Sequence, residues 1–99
     1  MAKSLRVQIN ELSAVYRRHG GKKSRKKQLE NLITDCEEIA RKFPINSVHQ
    51  IGQKHVKWID RYLRLSGYAN KTRMDHHYGF CKLWELLGRK GEPDRPILK

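Results

Sequence analysis

Apolar residues recur three and four positions apart in four separate segments of this chain, which is the spacing of one face of a helix. The four stripes are Leu5, Ile9, Leu12 and Tyr16; Leu29, Leu32, Ile33, Cys36, Ile39, Ala40 and Phe43; Val56, Ile59, Tyr62 and Leu63; and Phe80, Leu83, Trp84 and Leu87. No segment alternates apolar and polar residues in the manner of a strand. With 99 residues, of which 37% are hydrophobic, the chain can build one core. The pattern predicts an all-α fold, a single four-helix bundle.

Glycines, prolines and capping residues predict where these helices begin and end. Pro44 should stop the second helix near Lys42, because proline disfavours the helical conformation of the residue before it. The other expected signals are Gly20 and Gly21 after the first helix, Ser24 as N-cap of the second, a short turn around Val48–Ile51, a third helix from Gln53 to Gly67, Asn70 as N-cap of the fourth, and Gly88 or Gly91 at its end.

The domain boundary is expected near residue 90. Residues 1–90 are predicted to form one helical domain, and 91–99, with Pro93 and Pro96, to be an extended linker or tail. The predicted core consists of Leu12, Leu32, Ile33, Cys36, Ile59, Leu63, Phe80, Leu83 and Leu87.

A large excess of positive charge narrows the class of partner. The chain has 22 Lys and Arg against 10 Asp and Glu, which gives a formal net charge of +12. Such a surface favours a polyanion, whether DNA, RNA or an anionic membrane. No apolar run is long enough for a membrane span, and the N-terminus lacks the apolar core of a signal peptide. A cytoplasmic, nucleoid-associated protein with no membrane partner is expected, with Cys36 and Cys81 reduced.

The positive charges are most concentrated between the first two predicted helices. Residues 17–27 carry seven Lys and Arg, and we call this segment the basic turn. Next to a helix N-terminus it is suited to hold DNA phosphates, although a solvated basic loop has the same composition.

The second candidate for a DNA-binding site is Asn70-Lys71-Thr72-Arg73, in the first turn of the fourth helix. Its side chains can reach base edges or phosphates in a major groove, or they form an ordinary cap followed by exposed polar residues.

Catalytic and metal-binding patterns are missing from the sequence. His77 and Cys81 stand four residues apart, but a structural zinc site needs four ligands, so a half-buried core histidine is predicted instead. His76 is expected to face solvent or DNA. Asp35, Glu37 and Glu38 are interpreted as solvent-facing helix charges, with an ion pair from Glu38 to Lys42. There is no nucleophile motif and no glycine-rich phosphate loop. We therefore expect no enzyme activity, no metal and no cofactor.

Several short motifs occur in a distinctive order along the chain. They are a long helix that ends in Phe-Pro, then Val48-His49-Gln50-Ile51-Gly52-Gln53-Lys54-His55-Val56, then Gly67-Tyr68-Ala69-Asn70-Lys71-Thr72, and the closing Leu87-Gly88-Arg89. In this order they resemble the N-terminal SAM-like, core-binding domain of phage integrases, which are tyrosine recombinases. The resemblance covers roughly residues 5–90 and implies a four-helix SAM-like orthogonal bundle. In that family this domain and a larger catalytic domain form a clamp around duplex DNA.

This resemblance implies a function in DNA integration and recombination, as the non-catalytic half of such a clamp at the core site. The implied DNA-binding residues are Lys22, Lys23, Ser24, Arg25, Lys26, Lys27, Asn70, Lys71, Thr72 and Arg73. The implied partners are double-stranded DNA, a C-terminal recombinase domain in the parent protein and other integrase protomers on DNA. The family's catalytic HxxR motif does not occur in this chain, and its four tyrosines match no nucleophile position. Tyr16 and Tyr62 are expected in the core.

Two other functions fit the same basic helical chain. One is a stand-alone helical regulator or nucleoid-type protein that reads an operator as a dimer, but the sequence lacks a compact helix-turn-helix pair. The other is an RNA-binding protein, but the sequence shows no exposed aromatic platform for single-stranded recognition.

Overall fold

The computed structural model describes the backbone of residues 3–14, 16 and 23–96, with the side chains of Lys23 and Ser24 excepted. Within these residues there are four α-helices and no strand, which confirms the all-helical prediction. The helices are α1 (Leu5–Leu12), α2 (Lys23–Lys42), α3 (Gln53–Leu65) and α4 (Asn70–Leu86), and a 3-10 turn spans Val48–Gln50. In the described ranges no helix combines the length and the apolar character that a bilayer crossing requires.

The predicted C-terminal signals are confirmed at two glycines. Gly67 (φ +88°) and Gly88 (φ +71°) adopt the left-handed conformation directly after α3 and α4, where a side chain would be strained. In both cases the next amide donates back across the last turn, from Tyr68 to the Leu63 carbonyl at 3.1 Å and from Arg89 to the Trp84 carbonyl at 3.0 Å. Both helices therefore end where the sequence indicates.

The two predicted N-caps are wrong by one residue or more. Helix α2 begins at Lys23, so Ser24 lies inside its first turn. Ala69, in an extended conformation, precedes α4 as its N-cap, and Asn70 is the first helical residue. Asn70 instead uses its side-chain oxygen to accept from Nη1 of Arg73 at 3.3 Å. The Ala69 carbonyl accepts the first hydrogen bond of the helix, from the Arg73 amide at 3.0 Å, which places Asn70 in the first turn.

The core lies along α2, which packs against the other three helices. Leu29, Leu32, Ile33, Cys36 and Ile39 of α2 are completely buried. They contact Ile9 of α1 and the apolar stripes of α3 and α4 in one cluster. Of the nine predicted core residues, Leu12 and Leu87 are only half-buried at the edges, and the other seven are buried.

The close approach of α2 and α4 depends on a glycine that the sequence reading did not consider. A Cβ at Gly79 would lie 3.3 Å from the Gln28 carbonyl oxygen and 3.4 Å from Cβ of Leu32. The two helix backbones therefore meet at a spot where a larger side chain would push them apart. This crossing positions the exposed side of α4 next to the first turns of α2.

Residues 92–94, in the segment predicted to be an extended linker or tail, are packed against the domain. The Gln53 side chain donates to the Glu92 carbonyl (3.1 Å) and accepts from the Asp94 amide (2.7 Å). Lys57 pairs with Asp94 at 3.1 Å, and Pro93 is buried. The segment has no regular secondary structure, but side chains at the start of α3 satisfy its backbone groups and hold it against the domain. Residues 97–99 lie outside the described part of the chain.

Candidate nucleic-acid interface

Most of the basic turn lies outside the described residues, including Lys22 and the side chains of Lys23 and Ser24. Its last three residues are on the first turns of α2. Lys26 and Lys27 are exposed. Arg25 is half-buried, and its guanidinium stacks over the Tyr16 ring at 4.9 Å from the centroid. The described end of the basic turn therefore presents two lysines to solvent and one arginine that is held against an aromatic ring.

The second predicted group divides between surface and interior. Asn70 and Lys71 are exposed and Thr72 is half-buried. Arg73 is buried, with 3% of its side chain exposed, and the prediction that it faces a DNA groove is not supported by its position. Its Nε and Nη2 donate to Oδ1 and Oδ2 of Asp60 at 2.9 and 2.7 Å, a bidentate pair between α4 and α3. These hydrogen bonds raise the pKa of Arg73 above its ordinary value.

An exposed side of α4 connects the two predicted groups. Lys71, Asp75, Tyr78 and Lys82 follow one another at i, i+4, i+7 and i+11, so they share one side of the helix. Asp75 and Tyr78 line a groove of about 200 Å³ together with Lys27, Gln28 and Asn31 of α2. Lys71 thus lies on the side of α4 that borders the exposed lysines of α2.

The same surface continues at Tyr16, whose ring is in contact with one cation from α2 and one from α4. Nζ of Lys82 lies 4.4 Å from the Tyr16 ring centroid, and Arg25 also stacks on this ring. Tyr16 is half-buried, and its hydroxyl donates to Oε1 of Gln28 at 2.9 Å. We call this surface the α2/α4 face. Its exposed members are Lys26, Lys27, Lys71, Asp75 and Tyr78, and its half-buried members are Arg25 and Lys82, of which Lys82 pairs with Glu85 at 3.0 Å.

A buried ion pair that sequence reasoning missed fastens α2 to α4 behind this face. Asp35, predicted to face solvent, is 2% exposed and accepts from Nδ1 of His76 at 2.6 Å. His76 therefore points into the fold and not toward solvent or DNA. Burial raises the pKa of Asp35, and the hydrogen bond and charge of His76 partly oppose that rise. The predicted pair of Glu38 with Lys42 is also replaced, by Glu38 with Arg41 at 3.0 Å.

His77 is buried, with 4% of its surface exposed, so it lies deeper than the half-buried histidine that the sequence predicts. Its Nε2 lies 3.4 Å from Sγ of Cys81, and burial lowers the pKa of the imidazole. Burial raises the pKa of both thiols, at Cys81 and at Cys36, which disfavours the reactive thiolate. Across the described ranges, no three histidine, cysteine or acidic side chains are grouped as metal ligands.

Helix α3 carries exposed features that sequence reasoning did not assign to a site. Tyr62, predicted in the core, is 41% exposed and stacks on Trp58. Lys57, Arg61 and Arg64 recur at i, i+4 and i+7 on the neighbouring stripe. That spacing was visible in the sequence, but periodicity alone does not distinguish a binding surface from a solvated helix side.

Comparison of the chain with protein-family models, with curated proteins and with solved structures finds no match.

Proposed function

We propose that this chain is a non-catalytic domain that binds double-stranded DNA through the α2/α4 face. The observation that carries the proposal is the exposed side of α4, which joins Lys71 to Lys26 and Lys27 on one surface. A net charge of +12 supplies the electrostatic attraction, and lysines on a helical surface are typical phosphate contacts.

The dimensions of α4 are suited to a DNA groove. Eleven residues separate Lys71 from Lys82, and a rise of about 1.5 Å per residue gives a length of roughly 16 Å. The major groove is about 12 Å wide and admits an α-helix. With Asn70 and Lys71 at the exposed start of α4, this end would reach base edges while Lys26 and Lys27 contact the backbone.

We further propose that the domain belongs to a phage-type integrase, as its SAM-like core-binding part. The support is the sequence resemblance described above, together with four helices whose ends fall at the resembling Phe-Pro, Gly67 and Leu87-Gly88 positions. A recombinase domain in the parent protein would then supply the chemistry, and this chain would hold duplex DNA at the core site beside other integrase protomers.

Charge reversal at the two ends of α2 tests the DNA-binding proposal. Lys26→Glu with Lys27→Glu removes contacts at the α2/α4 face, whereas Arg41→Glu with Lys42→Glu makes the same change in net charge at the far end. We expect the first pair to weaken duplex binding much more, and to lower the salt slope by about one unit per lost phosphate contact. Equal weakening by both pairs would show that net charge alone attracts DNA.

The orientation of α4 has a separate test. Amide chemical shifts during a titration with random duplex DNA should change at residues 25–27 and along Lys71, Asp75, Tyr78 and Lys82. Lys71→Ala should weaken binding while leaving thermal stability unchanged, because its side chain is exposed. Shifts restricted to α1 would reject this face as the DNA contact.

A further inference from the structure

Three aromatic rings contact one another in sequence at the outer side of α3. They belong to Phe43, Trp58 and Tyr62, and we call them the aromatic ladder. The rings of Trp58 and Tyr62 are stacked, with centroids 5.6 Å apart and an angle of 12° between their planes. Phe43 meets the Trp58 ring edge-on at 5.7 Å and 90°. Trp58 is therefore held between two rings, and the orientation of Tyr62 is set by the stack and by its place one helical turn further along.

The end of this ladder is open to solvent. Tyr62 is 41% exposed, and Leu65, three residues further along α3, is 73% exposed. Large apolar side chains adjacent to each other at a surface are typical of binding sites. Because the ring stack already holds Tyr62 in place, a flat ligand that stacks on it would lose little side-chain entropy.

A row of cations lies on the neighbouring side of α3, and Arg61 is the member of the row that is next to Tyr62 in the sequence. Arg61 and Arg64 are exposed and form no ion pair within the described residues. With Lys57 and Arg95 they line a cleft of about 210 Å³. The two carboxylates in the lining, Asp60 and Asp94, already pair with Arg73 and Lys57. The arginines of this cleft are thus available to an anionic ligand.

We propose that this outer side of α3 binds an unpaired nucleic-acid strand, with a base stacked on Tyr62 and a phosphate held by Arg61. An exposed ring beside an arginine that has no ion pair within the described residues matches both parts of a nucleotide. A base in a duplex is stacked between its neighbours and is not free to stack on Tyr62, and the Asp and Glu side chains that make a peptide anionic have no ring to place there. The charge and the aromatic surface together favour a single strand.

This surface is distinct from the α2/α4 face. Arg73 points from α4 toward Asp60 of α3, whereas Lys71 is two residues away and lies about 200° further around the helix axis. The duplex surface and the α3 surface are therefore on different sides of α4. The chain would hold a duplex on one side and a displaced or unpaired strand on another.

The test compares two oligonucleotides that have the same phosphates but differ in their bases. Fluorescence anisotropy is measured with an oligothymidine of about 12 nucleotides, within the site sizes of single-strand binding folds, and with a fully abasic strand of equal length. Tyr62→Ala should weaken oligothymidine binding about 5- to 100-fold and leave abasic binding unchanged. Tyr62→Phe keeps the ring and should restore tight binding. Arg61→Gln should weaken both ligands.

Tyr68→Ala is the matched control, because Tyr68 is 50% exposed between α3 and α4 and belongs neither to the aromatic ladder nor to the α2/α4 face. It should not change the preference for oligothymidine over the abasic strand. Circular dichroism verifies that each variant is folded. Three results would overturn the proposal: equal affinity of the parent protein for the two strands, an unchanged preference in Tyr62→Ala, or competition by polyglutamate as strong as by oligothymidine. Failure here leaves duplex binding by Lys26 and Lys27 unaffected, so the two proposals fail separately.

Discussion

Replacing Arg73 by alanine should destabilise the fold and should not remove a DNA contact. Arg73 makes two charge-assisted hydrogen bonds to Asp60, at 2.9 and 2.7 Å, with 3% of its own side chain and 21% of the Asp60 side chain exposed. Without the guanidinium, the Asp60 carboxylate stays half-enclosed between α3 and α4 and loses both of the hydrogen bonds that Arg73 donates to it. The cost comes mainly from this stranded charge.

The magnitude follows from how deeply the pair is buried. Removing one partner of a buried ion pair costs about 3–5 kcal/mol. Water reaches part of Asp60, so we expect Arg73→Ala to cost about 3 kcal/mol, near the lower end of that range. For a domain of this size each 1 kcal/mol lowers the melting temperature by about 4–8 °C, so the variant should melt more than about 10 °C below the parent.

Urea unfolding monitored by circular dichroism measures this loss. Asp60→Ala with Arg73→Ala should lose less than the sum of the two single variants, because no unpaired charge remains. Arg64→Ala is the control, since Arg64 is an exposed arginine in the neighbouring helix without an ion pair in the described part of the chain, and it should change stability by less than about 0.5 kcal/mol.

The opposite pattern would refute this reasoning. If Arg73→Ala unfolded at the urea concentration of the parent but lost affinity for duplex DNA, the guanidinium would be a DNA contact. Duplex binding must be compared at a temperature where both proteins are folded, and there we expect Arg73→Ala to bind as the parent does.

Three more changes test the packing and the buried titratable groups. Gly79→Leu should strongly destabilise the protein in urea unfolding, because even a Cβ there lies 3.3 Å from the Gln28 carbonyl; a stable variant would show that α2 and α4 can separate. The raised pKa of Asp35 means that its contribution to stability is present below pH 3.8 and is lost as the pH rises through the raised value. Relative to the parent, Asp35→Asn should therefore gain stability over that rise, and a constant difference would contradict the assignment. The lowered pKa of His77 acts in the opposite sense, with stability present above pH 6.5 and lost as the pH falls through the lowered value, so His77→Leu should melt with a weaker acid dependence than the parent.

The helices could be predicted from the sequence because their signals are local. The apolar stripes define which side of each helix is buried, and Pro44, Gly67 and Gly88 end helices through their own backbone preferences. These effects act within a few residues, so no knowledge of the tertiary structure is needed. The N-caps were less predictable, because Ser24 and Asn70 are acceptable both before a helix and in its first turn.

The buried charges could not be predicted because each depends on a partner distant in the chain. Arg73 is spaced at i, i+4 and i+7 with His77 and Phe80, so periodicity does place it on the buried side of α4. Nothing local shows that Asp60 of α3 will meet it there. Asp35 is a stronger case, since its partner His76 is 41 residues away and α2 is covered on several sides by other helices.

The acidic residues are too few to neutralise the basic surface, although most of them form salt bridges within the protein. Eight of the ten acidic side chains form salt bridges within the described residues, namely Glu11, Glu30, Asp35, Glu37, Glu38, Asp60, Glu85 and Asp94. They engage six of the 22 Lys and Arg, together with His76. Lys26, Lys27 and Lys71 are not among them, so their charges repel one another in the free protein.

Salt should therefore act in opposite directions on folding and on binding. At about 0.1 M, ions screen charges separated by more than about 10 Å, which weakens the repulsion among the exposed lysines and stabilises the free protein. The same ions compete with Lys26 and Lys27 for DNA phosphates and weaken the complex. A polyanion that occupies these lysines relieves the repulsion as salt does, and it also stabilises the folded state through binding. Raising salt should thus raise the melting temperature of the free protein while reducing the increase that duplex DNA produces.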